Sequence, residues 1–339
     1  MTDTNRRFLL SKRPEGKPEP DAFELVETDV PEPGPGEVLV RTLYLSVDPY
    51  MRGRMRDRES YAEPWAVGDP LRGGVVGEVE ASNHGDFEPG DVVVGNLEWA
   101  DYAAVDGDDL RSVDPDLAPI STALGVLGMP GRTAYFGMLE VAHPRPGDTV
   151  VVSGAAGAVG SVAGQIARMG DCRVVGIAGS DEKTSFLTDE LGFDGAINYA
   201  ATDDYRAALD EAAPDGVDVY FDNVGGEITD AVFSRLNVDA RVAVCGQIAL
   251  YNEKSVPTGP RKLGTLIETR ARVRGFLVSD FAARFDRATE RLGRWVRSGD
   301  LRYRETVTEG LENAPEAFIG LFEGENVGKQ LVKVGDRSG

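Results

Sequence analysis

Glycines at 154, 157 and 160 stand directly behind a β-branched run, residues 150–152, that ends in Ser153. After them, residues 161–170 (SVAGQIARMG) form a helix-length segment of small and apolar residues. A strand, a tight glycine turn and a helix in that order make an anion site. Glycine lets the backbone approach a pyrophosphate, and the helix N-terminus aims free N–H groups and its dipole at the phosphates. Ala155, Gly157, Ala158, Val159 and Gly160 are therefore candidate nucleotide contacts. The spacing is G-x-x-G-x-x-G, one residue off the usual dinucleotide fingerprint, so an ordinary βαβ turn is the competing reading. Residues 150–167 carry no charge, but their Gly and Ser content fits strand–turn–helix better than a membrane span.

Other chemistry is bounded by what the chain holds. Two cysteines, Cys172 and Cys245, and two histidines, His84 and His143, cannot build a disulfide framework or a four-thiolate zinc lobe, so no metal is expected. Both histidines fall in turn-like contexts and are given no catalytic role. The net charge of −21 disfavours nucleic acid and anionic membranes as partners. Of the 36 basic residues seven are Lys and 29 Arg, against 57 carboxylates. That balance suits a salt-adapted, halophilic surface, where screening removes the cost of self-repulsion. The opening MTDTNRRF lacks the charged and apolar regions of a secretory signal and reads as a cytoplasmic start.

These residues need elements to position them. The first 125 or so residues read as β-rich, with alternating stretches at 23–26, 37–44 and 73–80 and a turn at 86–91 feeding another strand. Pro and Gly turns separate them, and no helix-period run competes, which suggests a small barrel-like domain. From Met129 a Pro-started helix leads into strands at 149–153, 173–178, 195–198, 217–222, 240–245 and 272–278. Helices are expected near 159–169, 181–191, 203–212, 227–235, 262–269 and 281–298. Six alternations imply a parallel, doubly wound sheet. The remaining strand, helix and strand (303–308, 313–323, 329–334) are expected to return to the first domain. The division is thus 1–127 with 300–339, and 128–299.

In such a sheet ligands collect at the C-terminal strand ends. Asn223, Gly225 and Gly226 after the fourth strand are placed to pass under a nucleotide, and the segment 245–252 (CGQIALYN) ends the fifth strand in the same layer. The second strand ends in Gly179-Ser180 where an NAD site usually carries an acid. Asp181 and Glu182 follow and, taken alone, would disfavour a 2′-phosphate; they read instead as the first turn of the next helix, where acids suit the dipole.

The order of parts resembles the medium-chain dehydrogenase/reductase superfamily. Local motifs narrow the resemblance to its zinc-independent branch of prostaglandin reductases, leukotriene hydroxydehydrogenases and alkenal double-bond reductases. They are VDPYMRGRM (47–55), MPGRTAYFG (129–137), AAGAVG (155–160), VGIAGSDEK (175–183), residues 193–199, YFDNVGG (220–226), CGQIALYN (245–252) and NVGK (326–329). Zinc alcohol dehydrogenases place an early Cys, a Gly-His-Glu and a four-Cys lobe. Here Val47-Asp-Pro-Tyr50 and Leu71-Arg-Gly-Gly74 occupy the first two places, and no Cys precedes 172, so zinc-assisted alcohol oxidation is not expected.

The resemblance implies an α/β fold, a Rossmann-type doubly wound parallel sheet plus a β-rich GroES-like barrel domain, and NADP(H) as cofactor. It places Lys183 and Tyr199 on the 2′-phosphate with Ser180 beside it. Cys245, Gly246 and Tyr251 lie along the cofactor, Phe276, Leu277 and Val278 alongside the nicotinamide, and Asn326 reaches it from the return segment. The implied reaction reduces a C=C bond conjugated to a carbonyl: hydride adds to the β-carbon, and the resulting enolate needs a hydrogen-bond donor. Tyr251 matches the family's active-site tyrosine, and Tyr50, with Met51, would line the substrate side. Some relatives carry a further tyrosine before the sixth strand, whereas this chain has LIETR at 266–270, which favours proton delivery by solvent. The expected partner is a small enone, enal or quinone, and the expected assembly a homodimer. A quinone reductase and a non-catalytic NADPH-binding protein are the alternatives.

Overall fold

The computed structural model describes residues 4–255 and 257–338; Met1–Asp3 of the opening read as a cytoplasmic start lie outside the described residues. The chain divides into two compact units. One runs up to Leu124 and takes in Glu305–Asn326 and the chain from Gln330; the other comprises Gly125–Arg304 and Val327–Lys329.

In the first unit β1 (Thr4–Leu10) and β2 (Phe23–Asp29) pair as an antiparallel ribbon. β3 (Glu37–Ser46), α1 (Met51–Arg54), β4 (Arg72–Ser82), β5 (Val92–Glu98), β6 (Tyr102–Asp106) and β7 (Arg111–Ser112) follow. Val38, Val40 and Leu45 on β3 are fully buried, which pins the register of the central strand. β1 was not foreseen because its pattern is blurred by a buried Asn5. That side chain is satisfied only across the chain, donating to the Tyr102 carbonyl (3.0 Å) and accepting from the Tyr102 N–H (2.9 Å). The four-residue α1 stands where no helix was expected.

In the second unit helices and strands alternate: α2 (Met129–Phe136), β8 (Thr149–Ser153), α3 (Gly160–Met169), β9 (Arg173–Ala178), α4 (Asp181–Ser185), β10 (Gly195–Asn198), α5 (Tyr205–Ala212), β11 (Val217–Asp222), α6 (Gly226–Phe233), β12 (Leu236–Val244), α7 (Leu263–Thr269), β13 (Arg272–Gly275) and α8 (Phe285–Ser298). The sheet order is β10-β9-β8-β11-β12-β13, with parallel pairing throughout. Helices cover both faces, so Val150, Val151 and Val152 are all buried and β8 reads as a continuous apolar run rather than an alternation. Strand order reverses between β8 and β11, which makes their C-terminal ends the ligand crevice of this architecture.

Three expectations need correction. The sixth strand stops at Gly275, because the Phe276 ring turns in against Phe221 (centroids 6.3 Å) and Asp280 accepts the Leu277 N–H (3.2 Å). The helix expected at 281–298 is a 3-10 segment, Val278–Arg284, followed by α8. The one expected at 181–191 is α4 followed by a wider π turn, Phe186–Glu190. The chain then adds β14 (Glu305–Glu309), α9 (Ala314–Gly320) and β15 (Lys329–Lys333), and β14 and β15 extend the β3 sheet to the order β14-β15-β3-β4-β5-β7, with β6 also on β3. On α9, Phe318 packs edge-on against Phe23 and Trp99, at 6.1 and 6.0 Å, so the return segment fills the first unit's core.

Candidate active site

The glycine turn after β8 follows from local sterics. Gly154 has φ +58°, which lets the chain leave β8 sharply. A Cβ at Gly160 would run into the Gly154 carbonyl and Ala155, so only glycine lets α3 start that close to the turn. Val159, at the N-cap, has no oxygen to offer the first-turn N–H groups of α3. Such donors suit an external anion. Gly328 donates to the Ala156 carbonyl (2.7 Å) and bridges Gly157, so Val327–Lys329 brace the turn.

At the end of β9 the expected 2′-phosphate residues gather. Ser180 is the N-cap of α4 and its Oγ accepts the Lys183 N–H (3.3 Å). Tyr199 folds over Gly179, where a Cβ would lie 2.6 Å from the phenol oxygen. Asp181 opens α4, and its carboxylate is taken by the Asn198 amide (2.7 Å). Burial lowers the Lys183 pKa from the ordinary lysine value, with Glu182 acting the other way. An anion bound beside the ammonium would reverse that burial cost.

At the switch point Asn223 ties the two strands together. Its N–H donates to Ser153 Oγ (3.0 Å) and its side-chain amide to the Ser153 carbonyl (2.8 Å). Gly225 and Gly226, with φ +74° and +62°, carry the chain into α6. The β12 end is stitched to the same loop, since Cys245 and Gly246 N–H groups both donate to the Asp222 carbonyl, at 2.8 and 3.0 Å. After a 3-10 turn, Ile248–Leu250, the Tyr251 phenol oxygen comes back to accept the Gln247 N–H (3.2 Å) and lies over Gly246. Its own proton is thereby directed elsewhere. Phe276 packs on Phe221 and Gly137, and Leu277 and Val278 follow it outside any strand.

The structure therefore brings Ala155, Gly157, Ala158, Val159, Gly160, Asn223, Cys245, Gly246 and Tyr251 to one end of one sheet, with Ser180, Lys183 and Tyr199 at the end of β9. Tyr50 and Asn326 belong to the other unit. Tyr50 packs on that unit's core, and burial followed by the Asp48 carboxylate raises its phenol above the ordinary value. Neither cysteine offers a thiolate near neutrality. Part of Cys245 reaches solvent, yet burial first and Asp222 second push its thiol up to about 12, and burial with Asp148 pushes Cys172 up to about 11. Two residues of this layer, Asp222 and Gln247, escaped sequence reading; their only signal was their place inside the two strand-end motifs.

Among the described residues no helix is long and apolar enough to cross a membrane, and no group of three or more His, Cys, Asp or Glu could hold a metal ion. Residues 6–113 match a family model described as the N-terminal domain of oxidoreductase, and residues 158–294 one described as zinc-binding dehydrogenase. The second description is broader than this chain, which has neither the early Cys nor the four-Cys lobe. The NADPH-dependent curcumin reductase of Escherichia coli (strain K12) is 46% identical over 97% of both chains. The NADP(+)-dependent 2-alkenal reductase of Nicotiana tabacum is 43% identical over 98% of both. The crystal structure of CurA from Vibrio vulnificus in complex with NADPH superposes with a TM-score of 0.93 at 44% identity, covering 98% of this chain and 99% of that one. The chain belongs to the zinc-independent medium-chain dehydrogenase/reductases, in the branch of the prostaglandin and alkenal reductases.

Proposed function

We propose that this protein uses NADPH to reduce the C=C bond of small α,β-unsaturated ketones or aldehydes. The observation that carries the reading is the Tyr251 phenol, held over Gly246 at the strand ends next to the phosphate turn. The relatives named for curcumin and 2-alkenal reduction support the substrate class. The residues present fit the cofactor: a glycine turn with helix N–H groups for the pyrophosphate, and a Ser180–Lys183–Tyr199 patch for the 2′-phosphate.

NADPH, when bound, supplies the hydride. Ala155, Gly157, Ala158, Val159 and Gly160 would hold the diphosphate, and Asn223, Cys245, Gly246 and Phe276 to Val278 would contact the rest of the cofactor. Tyr50 with Met51, and Asn326, are assigned to substrate and cofactor from the β-rich unit by resemblance. As the β-carbon gains hydride, the C=C electron pair moves to the carbonyl oxygen, and Tyr251 donates a hydrogen bond to that enolate. Solvent then protonates the α-carbon, since residues 266–270 carry no acid–base tyrosine.

The test is NADPH consumption against a panel of enones, enals and quinones, in dilute buffer and in molar salt. Turnover of enones and enals is expected, and turnover of quinones alone would remove the double-bond assignment. Tight NADPH binding with no turnover would leave a non-catalytic binding protein. The acidic surface should make both rate and thermal stability rise with salt, because the Debye length shrinks from about 10 Å at 0.1 M to about 3 Å at 1 M.

A cytoplasmic setting and a homodimer complete the proposal. β13 is a sheet edge with all four residues exposed, and α7 just before it exposes Leu263 and Ile267. A bare edge beside apolar side chains suits a second copy of the chain. Sedimentation should find twice the 36.4-kDa chain mass, and Ile267→Glu should shift it toward the monomer.

A further inference from the structure

Six neutral donors converge on one buried carboxylate where the sheet order reverses. Asp222 is fully buried. Its Oδ1 accepts from Ser153 Oγ (3.2 Å), the Tyr220 phenol (3.0 Å) and the Val224 and Gly225 N–H groups (3.0 and 2.9 Å). Its Oδ2 accepts from Thr229 Oγ1 and Gln247 Nε2, both at 2.9 Å. A carboxylate so enclosed by donors acts as a fixed post, because each donor that moves away leaves buried charge less satisfied. Five of the six donors come from β8, β11, α6 and the loop between the last two. Gln247 alone comes from the loop that carries Tyr251.

Gln247 is held at both ends. Its side-chain amide bonds Asp222 and the Gly246 carbonyl (2.9 Å), while its backbone N–H donates to the Tyr251 phenol oxygen (3.2 Å). Gly225 leaves the room for this, since a Cβ there would strike the Gln247 amide. We infer that Gln247 is a positioning residue: its tie to Asp222 fixes the N–H that holds the Tyr251 oxygen and so sets the direction in which the phenol presents its proton. The inference rests on Tyr251 being the enolate donor. No substrate or cofactor contact is required of Gln247 itself.

The experiment compares Gln247→Met, Gln247→Glu, Tyr251→Phe and the Gln247→Met/Tyr251→Phe pair in enone reduction, with NADPH binding and thermal unfolding measured on each. Gln247→Met keeps the length and loses the donor. It should fold, bind NADPH within about twofold of the parent and lose roughly tenfold in kcat, a loss that nearly vanishes in the Tyr251→Phe background because the two act as one unit. Gln247→Glu sets a second carboxyl against Asp222. Two carboxyls so close share a proton, so kcat should fall at alkaline pH and recover as the pair takes up that proton on acidification, a profile the parent lacks. Parental kcat in Gln247→Met, or a loss that multiplies independently with Tyr251→Phe, would overturn the inference. Should the Met variant not fold, a flat pH profile in Gln247→Glu would overturn it equally. A parental rate in Tyr251→Phe itself refutes the donor reading underneath, which is a distinguishable failure.

Discussion

Tyr251→Phe should reduce an enone about a hundredfold more slowly than the parent, the cost typical of removing one oxyanion donor, with NADPH affinity nearly unchanged. The reason lies in what the substitution removes. The ring stays and can still pack over Gly246, whereas the hydroxyl that accepts from Gln247 and carries the donor proton is lost. An enolate forms only as hydride arrives, so its donor matters to the transition state and little to ground-state binding; kcat should fall while the cofactor KM holds. Stopped-flow hydride transfer with saturating NADPH checks this. A weakened NADPH Kd with an unchanged hydride-transfer rate would make Tyr251 a cofactor contact instead.

Lys183→Ala should raise the KM for NADPH by about thirty- to 150-fold, the roughly 2–3 kcal/mol of a charge-assisted bond to phosphate, and leave NADH kinetics where they were. Lys183 stands in the first turn of α4 with its backbone N–H capped by Ser180, and Tyr199 lies over Gly179, the residue before that cap. Burial has already lowered the Lys183 pKa, so the folded protein bears a desolvation cost that a phosphate dianion offsets. Ser180→Ala should show a smaller NADPH effect accompanied by a loss of about 1 kcal/mol of stability, because it also removes a helix cap. Steady-state kinetics with both cofactors separate these outcomes. Equal use of NADH and NADPH by the parent would refute the role given to Lys183.

Much of this was legible in the chain itself, and the reasons are local. Val150–Val152 before Gly154 and Gly160 specify a buried strand and a tight turn, since β-branching and the absence of a Cβ act within a few residues. The strand limits at 173–178, 195–198 and 217–222 are those of β9, β10 and β11, because short stretches centred on β-branched and aromatic residues alternate there with helix-length segments and are set off by turn residues. The choice of NADP(H) was likewise readable, from a second strand ending in Gly179-Ser180 rather than an acid and from the resemblance carried by the segment 175–183. β1 was not, because its buried Asn5 is satisfied by Tyr102, 97 residues away. The sixth strand was overextended for a related reason: Phe276 looks like strand continuation until Phe221 and Gly137 are placed beside it.

The Tyr251 phenol divides the same way. Its residue type and its place after the fifth strand come from the sequence, through motif spacing and the rule that strand ends collect ligands. Its geometry comes from tertiary structure alone. Asp222, Gln247 and Gly246 act on it only because β8, β11 and β12 lie side by side, and hydrogen bonds between strand ends depend on pairing that no stretch of sequence contains. Local sterics determined that a tight glycine turn joins β8 to α3; the assembled sheet decided how that turn is braced and where the Tyr251 oxygen lies.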